Sequence, residues 1–108
     1  MPVPFEIDVQ TLDQLRRSDD PPVVLDVREG WELDICSLEG SMHIPLANLP
    51  QRAGDLPKDR NVVVVCHHGV RSAQATMWLR NQGYSRTINL AGGLDAWAHQ
   101  IDPNMKVY

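Results

Sequence analysis

Residues 62–66 read Val-Val-Val-Val-Cys, followed by His67-His68-Gly69-Val70-Arg71-Ser72 and then a helical pattern. A strand with one wet face alternates apolar and polar residues, so an unbroken apolar run belongs to a strand covered on both faces. Val23-Val24-Leu25-Asp26 has the same character, closed by a carboxylate. Segments with helical spacing separate such runs. Strands alternating with helices predict an α/β fold: a mostly parallel sheet with helices on both faces. Ligands of such sheets sit beyond the carboxyl ends of the strands. Asp26 and Cys66 both stand at those ends.

The remaining elements follow from local pattern. Residues 5–9 alternate apolar and polar and predict a first strand. Thr11 is a candidate N-cap for a helix to about residue 17, with Leu12 and Leu15 on one face. The cluster Ser18-Asp19-Asp20-Pro21-Pro22 ends it. A short helix is expected over 29–35, and a brief edge strand over 40–45, since Pro45 stops pairing. A further helix is expected over 46–52. Residues 72–82 predict the clearest helix, with Ala75, Trp78 and Leu79 at helical spacing and Gly83 as its stop. Residues 87–90 predict a last strand. It leads through Ala91-Gly92-Gly93 into a helix holding Leu94, Ala96 and Trp97. Trp78, Trp97 and Met77 are assigned to the core. For Trp31 a pocket rim and a helix anchor both fit.

A chain of 108 residues is expected to form one domain, residues 1–108. Its net charge of −4 argues against binding nucleic acid or an anionic membrane. No apolar run approaches the roughly 20 residues of a membrane span. The start, MPVPFEIDVQ, lacks the basic and apolar regions of a leader. Two cysteines, Cys36 and Cys66, make no disulfide framework and suit a reducing cytoplasm. A monomer is expected.

The turn after residue 65 places a thiol at the start of a helix, an electropositive position. Unpaired N–H groups point there, and the helix dipole adds about half a positive charge. Gly69 lets the backbone curl so that successive N–H groups converge. Arg71 adds a full charge. Such surroundings favour thiolate over thiol and make a nucleophile of the sulfur. Alone, a cysteine ending a strand is more often a small packed residue; here Gly69, Arg71 and Ser72 tip the reading toward reactivity.

These residues carry a resemblance. Cys66-His67-His68-Gly69-Val70-Arg71-Ser72 resembles the C-x-x-G-x-R-S loop of rhodanese-family sulfurtransferases. Leu25-Asp26-Val27-Arg28 is similar to the family's early D-x-R signature, and Gly40-Ser41-Met42-His43-Ile44-Pro45-Leu46 to its G-A/S-x-x-I-P segment. Asn89-Leu90-Ala91-Gly92-Gly93-Leu94-Asp95-Ala96-Trp97 resembles its closing x-L-x-G-G-x-x-A-W pattern. One departure is Cys36-Ser37, where many members have Gly-His. The resemblance implies a five-stranded parallel sheet in the order 1-5-4-2-3, with the Asp26 and Cys66 strand ends side by side. It implies a two-step transfer: the Cys66 thiolate takes the outer sulfur of a donor such as thiosulfate, holds it as a persulfide, and yields it to cyanide or a thiol. The N–H groups of about His67 to Ser72 would stabilise the sulfur's charge. The implied partners are a small sulfur donor and acceptor, or a sulfur-accepting protein. No cofactor is implied.

Rival chemistries leave traces in the same stretch. Cysteine phosphatases and arsenate reductases use H-C-x5-R, with arginine six positions after cysteine; here Arg71 comes five after Cys66 and Val65 precedes it. The shorter loop suits one sulfur atom better than a tetrahedral oxyanion. A regulatory rhodanese-like binding module is a further alternative, although inactive domains have usually lost the cysteine. Cys36, His43, Cys66, His67 and His68 lack C-x2-C or H-x3-H spacing, so no metal site is expected. His67 and His68 are placed at the loop mouth, to attract anionic donors when protonated. Asp26 is expected to support the Cys66 loop or Arg71, and Arg28 to assist donor binding or pair with Glu29 or Glu32. Cys36 reads as a packed residue before it reads as a resolving thiol.

Overall fold

The computed structural model describes residues 3–108; Met1 and Pro2, at the head of the stretch read for a leader, lie outside the described residues. Strands β1 (Glu6–Ile7), β2 (Val23–Asp26), β3 (Met42–His43), β4 (Val62–Val65) and β5 (Thr87–Leu90) form one sheet in the order β1-β5-β4-β2-β3. All four pairings are parallel. Helices α1 (Val9–Arg16), α2 (Gly30–Ile35), α3 (Leu49–Arg52), α4 (Val70–Asn81) and α5 (Gly93–Gln100) complete the fold. Both the α/β class and the strand order expected from the sequence are as observed.

The valine run explains the centre. All four β4 residues are fully buried. Val62 and Val64 pack with Leu25, Leu49, Ala75 and Leu79 on one face, under α3 and α4. Val63 and Val65 pack with Leu12, Leu90, Leu94 and Trp97 on the other, under α1 and α5. Each buried valine contributes roughly 1.5–3 kcal/mol. Alternation along one strand therefore ties two cores to one sheet. Asp26 pairs in register with Val65, so the ends of β2 and β4 lie side by side. No helix of the described residues is long and apolar enough to cross a membrane.

Several local expectations are corrected. The first strand is two residues, because Asp8 already caps α1: its carboxylate accepts the Thr11 N–H at 2.9 Å. Hydrogen bonding from Thr11, by its side chain first and its N–H second, holds the Asp8 carboxyl below its ordinary range. Thr11 is thus inside the helix rather than at its cap. The helix expected over 46–52 is a 3-10 turn (Leu46–Asn48) followed by α3. Pro50 has no N–H to return to the Leu46 carbonyl, which takes the Leu49 N–H instead. Met77 is 59% exposed, not core, since Ser72, Ala75, Thr76 and Leu79 occupy the buried face of α4. Trp97 is buried and Trp78 is packed partly against the core, as expected. Finally, α4 begins at Val70 rather than residue 72, so Val70, Arg71 and Ser72 form its first turn.

Candidate active site

Cys66 follows directly on β4 and is 1% exposed. Gly69, at φ 98°, turns the chain from the strand into α4. This geometry aims two amides at the sulfur. The Gly69 N–H donates to Cys66 Sγ at 3.1 Å and the Ser72 N–H at 3.3 Å. Ser72 Oγ lies 3.3 Å from the same sulfur. Of the amides expected from His67 to Ser72, these two make the contact. Donors fixed by backbone stabilise negative charge without reorganising, which is what an anionic sulfur requires.

The closing glycine motif holds this turn in place. Leu94 N–H donates to the Cys66 carbonyl at 2.9 Å and Asp95 N–H to the His67 carbonyl at 3.0 Å. The first amides of α5 thus anchor the backbone of the Cys66 turn. A Cβ on Gly93, at φ +59°, would lie 2.4 Å from the Cys66 carbonyl oxygen and 2.5 Å from that of His67. Gly93→Ala is expected to cost about 2–4 kcal/mol, from a strained φ plus forced separation of two backbones. Urea unfolding measures this; a loss under about 0.5 kcal/mol would mean that the two turns are not interlocked.

Arg71 does not face the sulfur as a free charge. Its guanidinium forms a fork with Glu32, Nη1 to Oε1 at 2.6 Å and Nη2 to Oε2 at 2.9 Å. Glu32 is 3% exposed. It is the third residue of α2 and also accepts the Glu29 N–H at 3.0 Å, closing a capping box. The Tyr108 hydroxyl donates to Glu32 Oε2 at 2.5 Å and accepts from Arg28 Nη1 at 3.0 Å. Arg28, fully buried, forks onto Asp26, with Nη2 to Oδ2 at 2.7 Å, and also donates to the Cys36 carbonyl at 2.7 Å. Burial opposes the Arg28 charge, but the Asp26 and Tyr108 hydrogen bonds outweigh it and raise the guanidinium above its ordinary pKa. The structure thus corrects the expectation for Arg28. Arg28 pairs with Asp26 instead of meeting a donor or the Glu29 or Glu32 carboxylates. Asp26 reaches Arg71 at second hand, through Arg28 and Glu32, which are joined by the Glu32 carbonyl at 3.4 Å and by the Tyr108 hydroxyl.

This chain of contacts predicts acid sensitivity. Arg71 above all, aided by Tyr108 and the Glu29 amide, outweighs burial and holds Glu32 down to about 2, against 4.5 unperturbed. A depressed carboxyl contributes its full stability above the unfolded value and loses it as pH falls toward the folded one. On the order of 3 kcal/mol should therefore disappear between about pH 5 and pH 2. Chemical denaturation at stepped pH should show a shallower decline in Glu32→Gln over that window. Parallel declines would remove Glu32 from the account.

A cavity of about 440 Å³ opens over Cys66. His67, His68, Val70, Arg71, Trp31 and Tyr108 line it. Trp31 is 61% exposed and meets Tyr108 edge-on, with ring centroids 5.9 Å apart, so it belongs to the rim. Tyr108 lies over His67, centroids 4.0 Å apart. Burial first, and His68 second, lower the His67 pKa from its ordinary value and disfavour a charge there. His68 is the exposed member of the pair. The structure also gathers ligand atoms of His67, His68 and Asp95 within 4.8 Å of one another, a convergence not expected of adjacent histidines. Ligands around tetrahedral zinc stand about 3.3 Å apart, so the cluster is too open for a ready-made site. Both cysteines are free thiols.

Sequence reasoning missed Glu32 as the Arg71 partner, Tyr108 as a wall of the cavity, and the Asn89 side chain. The Glu29–Glu32 capping-box spacing was a signal for the first. Asn89 accepts the Ser72 hydroxyl at 2.5 Å and donates through Nδ2 to Glu6 at 2.9 Å. Tyr108 carries no local signal.

Comparison with known proteins agrees with this geometry. The Rhodanese-like domain family matches residues 8–100. A sulfurtransferase of Allochromatium vinosum is 38% identical over 93 residues, which cover 86% of this chain and 87% of that protein. The probable adenylyltransferase/sulfurtransferase MoeZ of Mycobacterium tuberculosis is 40% identical over 87 residues, covering 79% of this chain but 22% of that one. Among solved structures, a rhodanese-like domain protein from Staphylococcus aureus superposes with a TM-score of 0.83 at 25% identity, covering 95% of this chain and 97% of the other. A thiol held by two amides at a strand end, in a sheet of order 1-5-4-2-3, thus coincides with a family match across most of the sequence, and the chain belongs to the rhodanese-like domain family.

Proposed function

We propose that the protein is a thiosulfate-type sulfurtransferase acting through a Cys66 persulfide, with residues 1–108 working as one unit. In the first step the Cys66 thiolate attacks the outer sulfur of thiosulfate. The S–S bond breaks, sulfite leaves with the bonding pair, and the enzyme holds Cys66–S–S⁻. In the second step cyanide or a thiolate attacks the outer sulfur, the new S–S bond breaks, and thiocyanate or a persulfide leaves. The thiolate is restored. Every electron pair is accounted for by sulfur and the two substrates, so the relay calls on no cofactor.

The observation that carries this reading is the pair of N–H groups on Cys66 Sγ, donated by Gly69 and Ser72. Val70 and Arg71 fill the turn between them, and His67 and His68 form the mouth. Asp26 and Arg28 act as scaffold beneath it. The pairing of Arg71 Nη1 and Nη2 with Glu32 commits the end-on face of the guanidinium to a carboxylate, which weighs against phosphatase chemistry. Free thiols at positions 36 and 66 suit a reducing cytoplasm.

A second reading concerns the acceptor. The cavity of about 440 Å³, rimmed by Trp31, Val70 and Tyr108, far exceeds cyanide or thiosulfate. It favours a larger thiol, up to the cysteine of a sulfur-accepting protein. Comparing kcat/KM for cyanide, a small thiol and a cysteine-containing peptide, each with thiosulfate as donor, tests both readings. Transfer to at least one acceptor, with negligible turnover of an aryl phosphate, is the expected result. A phosphatase rate matching sulfur transfer would overturn the assignment, and a preference for cyanide over every thiol would remove the second reading.

A further inference from the structure

Behind Cys66 lies a line of hydrogen bonds that the transfer chemistry above does not use. Ser72, fully buried in the first turn of α4, stands between the sulfur and Asn89 of β5, which is 1% exposed. Asn89 in turn contacts Glu6 on the edge strand β1, beside β5 in the sheet. The distances are 3.3 Å from Cys66 Sγ to Ser72 Oγ, 2.5 Å from Ser72 Oγ to Asn89 Oδ1, and 2.9 Å from Asn89 Nδ2 to Glu6 Oε1.

The direction of each bond follows from what each group can give. A carboxylate only accepts, so Glu6 turns the Asn89 amide with its NH2 outward and its oxygen toward Ser72. Two oxygens at 2.5 Å need a proton between them, and the amide oxygen has none. The single hydroxyl proton of Ser72 therefore points at Asn89. What Ser72 shows the sulfur is a lone pair. A neutral thiol can donate into it, whereas an anionic sulfur cannot. To help an anion, Ser72 must swing its proton back and leave the buried Asn89 oxygen without a donor.

We propose that Glu6 is a positioning residue that sets the hydrogen-bond polarity of Ser72 toward Cys66, and thereby restrains the anionic form of the sulfur. The inference rests on the reading of Cys66 as the reactive sulfur. Its consequence for the relay is that the loop amides of Gly69 and Ser72 stabilise the anion while the Ser72 hydroxyl opposes it. In the persulfide the charge sits on the outer sulfur, so the restraint acts on Cys66 Sγ as the attacking thiolate of the first step and as the thiolate released in the second.

Through-space charge acts in the same direction, so the dependence of the effect on the Ser72 hydroxyl carries the test. Glu6→Lys offers a donor to the Asn89 oxygen, flips the amide, and presents NH2 to Ser72. The Ser72 proton is then free for the sulfur. Glu6→Gln, which offers both a donor and an acceptor, should do the same in part. Glu6 is exposed on a two-residue edge strand, so both variants keep the core. The experiment is a pH titration of thiolate absorbance in a Cys36→Ser background, so that Cys66 is the thiol observed. Glu29, Glu32, His67, His68, Arg71 and Tyr108, the titratable groups that line the cavity over the sulfur, are the same in every variant. Glu6→Lys should move the midpoint down by about one pH unit, and Glu6→Gln by less. Alkylation by iodoacetamide at pH 7 should accelerate several-fold in step.

The decisive arm repeats the pair with Ser72→Ala. Without the hydroxyl, Glu6→Lys should shift the midpoint by no more than a few tenths of a unit. A shift of equal size in both backgrounds would assign the effect to through-space charge and overturn the proposal, as would no shift in either Glu6 variant. Thiolate titration needs no sulfur transfer. A polarity effect in a protein that never loads sulfur would therefore refute the proposed function and leave this inference standing.

Discussion

Cys66→Ser should take up no sulfur. After incubation with thiosulfate, the intact mass of the unaltered protein rises by one sulfur atom, and that of the variant does not change. The reason is geometric as well as chemical. The two fixed amides converge on position 66, and a serine hydroxyl there is neither nucleophilic at neutral pH nor able to carry a persulfide. Turnover should fall by about a thousandfold or more, to background. Cys36→Ser should keep most activity, because the short bond from Arg28 goes to the Cys36 backbone carbonyl, and a serine hydroxyl can replace the longer 3.7 Å contact of Arg28 Nη1 with the Cys36 sulfur. Equal sulfur loading in Cys66→Ser would move the nucleophile to Cys36. A large loss in Cys36→Ser alone would make it a resolving thiol.

Arg71→Ala should damage both stability and transfer, for a reason visible only in the fold. Removing the guanidinium strands the Glu32 carboxylate, 3% exposed, with the Tyr108 hydroxyl and one amide for company. Breaking a buried pair from one side costs on the order of 3–5 kcal/mol. Because the Arg71 side chain is 35% exposed, solvent screening reduces this to about 2–3 kcal/mol. The first turn of α4 then loses its tether to α2, and kcat/KM for thiosulfate should fall about ten- to a hundredfold. Arg71→Lys should recover part, since a point charge cannot form the fork. The double variant Arg71→Ala/Glu32→Gln separates scaffold from recruitment. With the stranded charge removed, stability should recover, and KM with it if Arg71 acts as scaffold. A KM that stays raised in a refolded double variant would restore the direct role of Arg71 in drawing an anionic donor. Thermal unfolding and steady-state kinetics on the four proteins decide the matter.

What the sequence determined by itself is whatever rests on neighbours along the chain. Four consecutive valines can only be a strand buried on both faces, and the structure divides them two and two between the cores. The thiol after them, the glycine three residues on, and the helix that follows specify where a reactive sulfur would stand. The family motifs supplied the strand order. Boundaries shifted where one residue's chemistry intervened: Asp8 captured the cap expected of Thr11, and Pro50 broke a helix at its missing amide. Only the tertiary structure decided the electrostatics of the site. Arg71 looked like a free cation until the crossover through α2 brought Glu32 against it. Tyr108, Asn89 and Glu6 carry no local pattern, since each meets its partner only after the sheet has assembled and the tail has folded back. Periodicity reports which face of an element is buried. It does not report which distant side chain shares that face, and in a low-dielectric site that neighbour decides whether a charge is free or already spoken for.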